Sequence, residues 1–380
     1  ESTLKSIALH VTTVPDEFHI HPSLTRILRR KQTMLDERSL IDWSLAESIA
    51  FGSLLMEGIP VRLSGEDSAR GTFSQRHLIW WDTESEKPHP YTPLQTLAPE
   101  QAEFDVFDSP LSEYSVLGFE YGYSLVSPNT LVAWEAQFGD FANGAQVIID
   151  NYVASAESKW DRSSGLVMLL PHGSEGQGPD HSSAHLERFL QLAAEENIQI
   201  CNVTTPAQYF HVLRRQMKLS CRKPLIIMTP KSLLRHPKVI SAVTDFVSGG
   251  FQEVLDDSCD PAKVDRILLC SGKIYYDLLA QRDATGKDNV APVRIELLYP
   301  FPDRALGACL EKYKRASNII WVQEEHKNSG AWTFMRERFS LHFPRIDLKY
   351  LGRDESASSA TGSFKQYQKE QKKLVEDAFE

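Results

Sequence analysis

Leu131-Val132-Ala133-Trp134 is an uninterrupted apolar run, short enough for a strand and apolar enough to be buried on both faces. It passes into Glu135-Ala136-Gln137-Phe138-Gly139-Asp140-Phe141-Ala142-Asn143, and the helix expected next places Phe141, Ala145, Ile148, Ile149 and Tyr152 on one face. The same unit recurs outward. Residues 166–170 read as a second strand closed by Pro171, followed by a polar glycine-rich loop and a helix with the stripe Leu186, Phe189, Leu190 and Ala193. Residues 225–229 read as a third strand. From Trp43 onward short apolar strands alternate with amphipathic helices, the pattern of an α/β fold with a doubly wound, mostly parallel sheet.

Beyond His236 the pattern weakens into Ser248-Gly249-Gly250 and the acidic stretch Asp256-Asp257-Ser258-Cys259-Asp260-Pro261, a composition that suits a linker or an irregular edge. Strands are then expected at 266–270, 292–297 and 319–322, with helices around 275–282 and 304–313. This divides the chain into a connecting segment (1–40), a larger α/β domain (41–238) and a smaller C-terminal α/β domain (239–380). At about 100–200 residues per domain, 380 residues leave room for such units, each with its own core.

Composition excludes several functions. With 41 Lys+Arg against 51 Asp+Glu, the net charge is −10, so there is no electrostatic footprint for nucleic acid or anionic lipid. The longest apolar runs fall far short of the ~20 residues that cross a bilayer. Five cysteines with no CxxC pair encode neither a disulfide framework nor a zinc site, which suits a reducing compartment. His19 and His21 alternate on a possible strand with no third ligand near, and His211 and His342 read as surface or internally satisfied histidines. The first residue is Glu1 rather than Met, so the chain reads as a piece of something longer.

In doubly wound sheets ligands sit at the carboxyl ends of strands, so the loops there are where chemistry is sought. Three loops carry suitable groups. The run from Pro171 to Ser183 holds glycines that let backbone approach a ligand, and two histidines, His172 and His181, able to move protons near neutral pH. Glu113 opens a helix that Ser112 can cap, a place where a first-turn acid also serves helix stability. The third is the mixture of aromatic, amide and acidic residues from Glu135 to Asn143. There is no G-x-S-x-G elbow, Walker loop or HExxH helix.

Several motifs in order resemble the 2-oxoglutarate dehydrogenase decarboxylating component. They are Arg62-Leu63-Ser64-Gly65-Glu66-Asp67, Arg70-Gly71-Thr72-Phe73-Ser74-Gln75-Arg76-His77, Trp134-Glu135-Ala136-Gln137-Phe138-Gly139-Asp140-Phe141, Leu170-Pro171-His172-Gly173 with His181-Ser182-Ser183, and Pro230-Lys231-Ser232-Leu233-Leu234-Arg235-His236-Pro237. The likeness continues through Cys270-Ser271-Gly272-Lys273-Ile274-Tyr275-Tyr276-Asp277-Leu278, Gln323-Glu324-Glu325-His326 and Tyr350-Leu351-Gly352-Arg353. It covers the family's C-terminal portion, a transketolase-like pyrimidine-binding domain followed by a C-terminal domain.

The resemblance implies thiamine diphosphate and Mg²⁺ as cofactors, with decarboxylation of a 2-oxo acid and acyl transfer to the lipoyl group of dihydrolipoyl succinyltransferase, a multienzyme complex of the tricarboxylic acid cycle. It implies that Glu113 protonates the cofactor's aminopyrimidine, that Phe141 or Phe138 stacks on that ring beside Gln137, and that His181, with His172 less directly, faces the substrate-derived species. Gln75, Arg76 and His77 would contact substrate. The family's Gly-Asp-Gly signature for the diphosphate and metal occurs nowhere in the chain, so no metal ligand is assigned, and the partners implied are an N-terminal diphosphate-binding half and a second copy. The family usually reads His-Ser-Ser-Ala-Arg where this chain has His185, which bears on substrate specificity. A short gap between Leu190 and Cys201 favours a bacterial, cytoplasmic source. Two other readings stand beside this one: a relative acting on 2-oxoadipate, and a non-catalytic assembly or regulatory module in which Lys231, Arg235 and Arg353 hold an anionic effector.

Overall fold

A computed structural model of the chain describes residues 1–380 except 86 and 88. Among the described residues a seven-stranded sheet runs in the order Leu297–Tyr299, Gln199–Cys201, Leu225–Thr229, Val167–Pro171, Leu131–Glu135, Val61–Gly65, Phe104–Asp108. Every pairing is parallel except that of Leu297–Tyr299. The strands alternate cleanly. Val132, Trp134, Met168, Leu170 and Ile226 enter one apolar cluster, while Leu131, Ala133, Val167, Leu169 and Ile227 enter another on the opposite face. The expected doubly wound α/β architecture is therefore present, with helices covering both faces.

The chain steps from Val61–Gly65 outward to Phe104–Asp108 and then returns across to Leu131–Glu135. That reversal is the topological switch point, where the loops diverge and leave a crevice. Register makes the crevice sharp: Gly65 lies level with both Asp108 and Glu135.

Under the crevice, helix Trp43–Met56 is buried along nearly its whole length, so it lacks the amphipathic stripe expected of helices in this region. Asp42 caps it by accepting from Leu45 N at 2.9 Å, and Trp43 stacks on Tyr209 at 4.7 Å. Glu47, in its second turn, carries a charge into this apolar environment, where it meets Arg76.

The second sheet runs Val254–Leu255, Val290–Ile295, Arg266–Cys270, Asn318–His326, Leu348–Arg353, parallel except for its first strand. One of its faces, with Ile267, Leu269, Val293 and Trp321, joins the same apolar cluster as the first sheet; the other is covered by the C-terminal helix Phe364–Asp377 through Leu374 and Val375.

Several expectations need correction. The 1–40 segment is more than a connection: it forms helices Ser2–His10 and Pro22–Arg38, and Ile7 and Ala8 are buried in the first domain's core. His19 and His21 do not alternate on a strand, since His21 caps the second of these helices. Two strands beyond the expected boundary at 238 pack back onto the first domain. Ile240–Ala242 pairs with Leu40–Asp42, and the strand expected at 292–297 ends at Ile295, while Leu297, its expected last residue, opens a separate strand Leu297–Tyr299 that adds to the first sheet. The helix expected after Trp134 is composite, a 3-10 turn Gly139–Ala145, a short α turn and a π turn Ile149–Val153. Gly139 explains the tight start, because a Cβ there would lie 2.5 Å from Ala184 Cβ and 2.7 Å from the Pro171 carbonyl.

Arg76 holds these layers together. Its Nε and Nη2 donate to Glu47 at 2.5 and 3.1 Å, its Nη1 and Nη2 donate to Glu135 at 2.6 and 2.7 Å, and Nη1 also donates to the Ser68 carbonyl at 3.1 Å. Tyr209 Oη donates to Glu47 at 2.6 Å. Removing the guanidinium leaves two buried carboxylates unpaired, so Arg76→Ala is expected to lower unfolding stability by about 3–5 kcal/mol. Urea denaturation of the two proteins checks this; a loss under about 1 kcal/mol, the scale of a surface pair, would contradict it.

Candidate active site

The loops at the switch point bring the sequence candidates into two adjoining groups. Glu113 is the first residue of helix Glu113–Val126, and Ser112 caps that helix by accepting from Ser115 N at 3.5 Å. Glu113 is half-buried and lines a pocket together with Glu66, Trp134, Glu135 and Gln137. Gly144 faces it, with the position of a Cβ there 3.5 Å from Glu113 Oε2. Among the described residues the Glu113 carboxyl makes neither a hydrogen bond nor an ion pair, and Glu66 Oε2 is buried with no hydrogen-bond partner.

The second group is aromatic. Phe138 meets His181 edge-on with centroids 4.5 Å apart, and Phe141 lies 5.9 Å from both. Phe73, from the Arg70 to His77 motif, closes the other side of Phe138 at 5.5 Å. Offset and edge-on contacts of this kind hold rings in fixed orientation. Gln75 Oε1 accepts from Phe73 N at 3.1 Å, so Gln75 shapes the loop that presents Phe73.

Three candidates stand elsewhere than expected. Arg76 is a substrate contact on the sequence reading, yet all its donors are spent on Glu47, Glu135 and Ser68 beneath the pocket, so it supports the site and does not enter it. His77 sits in a left-handed turn at φ 53° with its ring against the Ser74 carbonyl at 3.2 Å, and burial together with Lys31 pushes its pKa down. His172 is buried with both nitrogens occupied. Ala184 N donates to Nδ1 at 3.0 Å, which leaves the proton on Nε2, and Nε2 donates to Glu325 Oε1 at 2.7 Å. It is a strut between the two domains and has no free nitrogen for proton transfer.

The basic residues considered for an anionic effector are likewise engaged. Lys231 is buried, which pushes its pKa down, and Nζ donates to Gln177 Oε1 at 2.8 Å and to the His181 carbonyl at 2.5 Å. Glu175 returns the clasp by accepting from Ser232 N and Oγ. Arg353 is spent on Glu370, Gln371 and the Glu324 carbonyl, and Arg235 donates to the Phe73 carbonyl at 2.5 Å.

Glu66, Phe73, Glu47 and the Lys231 clasp escaped the sequence reading as parts of the site. Glu66 had a usable signal, since it directly follows a strand whose end proves to be the switch point. Glu47 had none, because a lone acid in an apolar helix does not name its partner.

Carboxylates that lack partners among the described residues, in a pocket whose Gln137 directly precedes the aromatic cluster, fit a flat heteroaromatic ring bearing a basic nitrogen and an amino group, as the pyrimidine end of thiamine diphosphate does. Among the described residues no group of three or more His, Cys, Asp or Glu is placed to hold a metal ion.

Residues 39–237 match the transketolase pyrimidine-binding domain, so the chain belongs to that family. Residues 240–379 match the 2-oxoglutarate dehydrogenase C-terminal domain, and the chain is similar, at 50% identity over 394 residues, to the 2-oxoglutarate dehydrogenase E1 component of Brucella ovis. It is equally similar, at 50% over 376 residues, to that of Haemophilus influenzae. These alignments cover 99% and 98% of the chain but 39% and 40% of the relatives, so the chain spans about two fifths of their length. The resemblance seen in the motifs thus extends over nearly the whole sequence.

The His172 to Glu325 strut carries a pH signature. Burial is the largest single influence and raises the Glu325 carboxyl, but the hydrogen bond from His172, the electrostatic attraction of that ring and a backbone hydrogen bond together outweigh it and hold the pKa below the ordinary glutamate value. A depressed folded value means stability that is full above about pH 4.3 and lost as pH falls through the folded pKa. Glu325→Gln is therefore expected to melt lower than the parent at neutral pH, with the gap narrowing from about pH 4.5 downward. Melting curves across that range test it, and a gap independent of pH would contradict the assignment.

Proposed function

We propose that the chain is the part of a thiamine-diphosphate-dependent 2-oxoglutarate dehydrogenase component that binds and activates the cofactor's aminopyrimidine. The observation that carries this is the Glu113 carboxyl, unpaired among the described residues and lining a pocket at the switch point of a pyrimidine-binding fold. The substrate is supported by the relatives' name, 2-oxoglutarate dehydrogenase E1 component.

Bound thiamine diphosphate supplies the nucleophilic carbon and electron sink that decarboxylation of a 2-oxo acid requires. The chain's own residues do the rest. Glu113 would exchange a proton between its carboxyl and the pyrimidine ring nitrogen, a transfer that needs the hydrogen-bond reach an unpaired first-turn acid has. Phe138 and Phe141 would flank the ring and exclude water. Gln137 orients the ring from the same pocket. His181, fixed edge-on against Phe138, presents a ring nitrogen to the 2-oxo acid and can donate a proton or a hydrogen bond where charge develops. Gln75 acts one step back, through Phe73.

The diphosphate and Mg²⁺ would be held by the N-terminal half that the longer relatives carry. Leu111, Tyr114 and Phe119 around the start of the Glu113 helix are 76%, 52% and 61% exposed, an apolar surface beside the pocket that suits burial against that half or a second copy in a homodimer. Dihydrolipoyl succinyltransferase would receive the acyl group on its lipoyl domain. A bacterial cytoplasm fits the two relatives and the free cysteines, and no helix among the described residues is long and apolar enough to cross a membrane.

Glu113→Gln in the full-length protein tests the assignment. Decarboxylation of 2-oxoglutarate, followed with an artificial electron acceptor, is expected to fall by at least ~10²-fold with melting temperature unchanged. Turnover near the parental rate would refute the role.

A further inference from the structure

His185 stands apart from the proposed catalytic groups, yet it is built into their support. It occupies a left-handed conformation, φ 52°, which a non-glycine residue adopts at a cost of about 1 kcal/mol unless its surroundings hold it there. Its surroundings do. Nε2 lies 2.5 Å from Asp140 Oδ1, Nδ1 lies 3.3 Å from Glu187 Oε1, and the backbone N donates to Ser183 Oγ at 3.0 Å. Asp140 is buried in the turn between Phe138 and Phe141. Glu187 Oε2 in turn accepts from Gly330 N of the C-terminal domain at 2.8 Å.

Both ring nitrogens therefore face carboxylate oxygens, which only accept. A neutral imidazole has one N–H and can serve one of them; the imidazolium, with two, serves both. We propose that His185 is a positioning residue whose imidazolium ties Asp140, and with it the Phe138 to Phe141 turn, to Glu187 and the C-terminal domain, and so fixes the aromatic wall against which the cofactor ring packs. This rests on the pyrimidine-binding reading of the site.

The charged groups around the ring are consistent with a charged histidine. The hydrogen bond to Glu187 raises its pKa, and Glu187 and Asp140 add to this by charge, against burial and the neighbouring Arg188. Glu325 of the C-terminal domain, which feels the charge of Glu187, is hydrogen-bonded by His172. A raised folded value means that the bridge is intact at lower pH and is lost as pH rises through that value, above the ordinary histidine range near ~6.5.

The test is thiamine diphosphate binding, with Mg²⁺ present, measured by titration calorimetry on the full-length protein from about pH 6 to about pH 9, for the parent, His185→Arg and His185→Leu. Arginine keeps two-sided donation and its charge at every pH. The parent's affinity should fall roughly tenfold relative to that of His185→Arg as pH rises, and His185→Leu should bind weakly throughout. Ionisation of the cofactor affects the profiles of parent and His185→Arg alike and cancels in the ratio. Parallel profiles for parent and His185→Arg would overturn the proposal while leaving the pyrimidine-binding reading intact. Absence of binding by the parent at every pH would overturn both. The arginine comparison decides the matter even if the leucine variant does not fold.

Discussion

The buried guanidinium of Arg76 is the constraint on which the remaining structure depends. An arginine with its five donors spent inside the protein is tolerated because two carboxylates and a carbonyl meet it. Those partners come from three different places: Glu47 from the buried helix, Glu135 from the end of a central strand, and Ser68 from the loop after the neighbouring strand. Glu135 immediately precedes Ala136 and Gln137, and the 68–76 loop leads through Phe73 to the aromatic wall. One ion cluster thus fixes the floor of the pocket and the starting points of two loops that line it. The fork geometry matters here, since a lysine could not reach both carboxylates in parallel.

Above that floor the site is assembled by stitching loops to one another. His172 ties the glycine-rich loop to the C-terminal domain through Glu325, and Lys231 with Glu175 ties the same loop to the segment after Leu225–Thr229. His181 hangs between these two clasps. Its edge-on contact with Phe138 then follows from backbone that is held at both ends, a form of preorganisation that leaves little to be ordered when a ligand arrives. By contrast Glu113 is held only by its position at a helix start, which leaves its carboxyl available.

What the sequence made legible follows from the kind of interaction involved. The buried strands at 131–135, 167–171 and 225–229 stand out because burial on both faces demands unbroken apolar runs, and Glu113 could be placed because Ser112 and the following helix advertise a cap. Arg76 and His172 were misassigned because their motifs look like chemistry. Their true partners, Glu47 and Glu325, lie 29 and 153 residues away, and no local pattern records such pairings. The same reason hides Leu297–Tyr299, whose apolar residues announce a strand but not which sheet it joins. The composite helix after Phe138 departs from its apolar spacing because Gly139 must lie against Pro171 and Ala184, a tertiary demand that overrides local periodicity.

On the function proposed, this chain holds one part of a divided active site, the part that engages the pyrimidine ring. That division is tested most directly by measuring thiamine diphosphate- and Mg²⁺-dependent decarboxylation of 2-oxoglutarate by this chain, by the N-terminal portion that its relatives carry, and by the two combined. The account predicts turnover only in the mixture. Turnover by either part alone, or none from folded parts shown to associate, would contradict it.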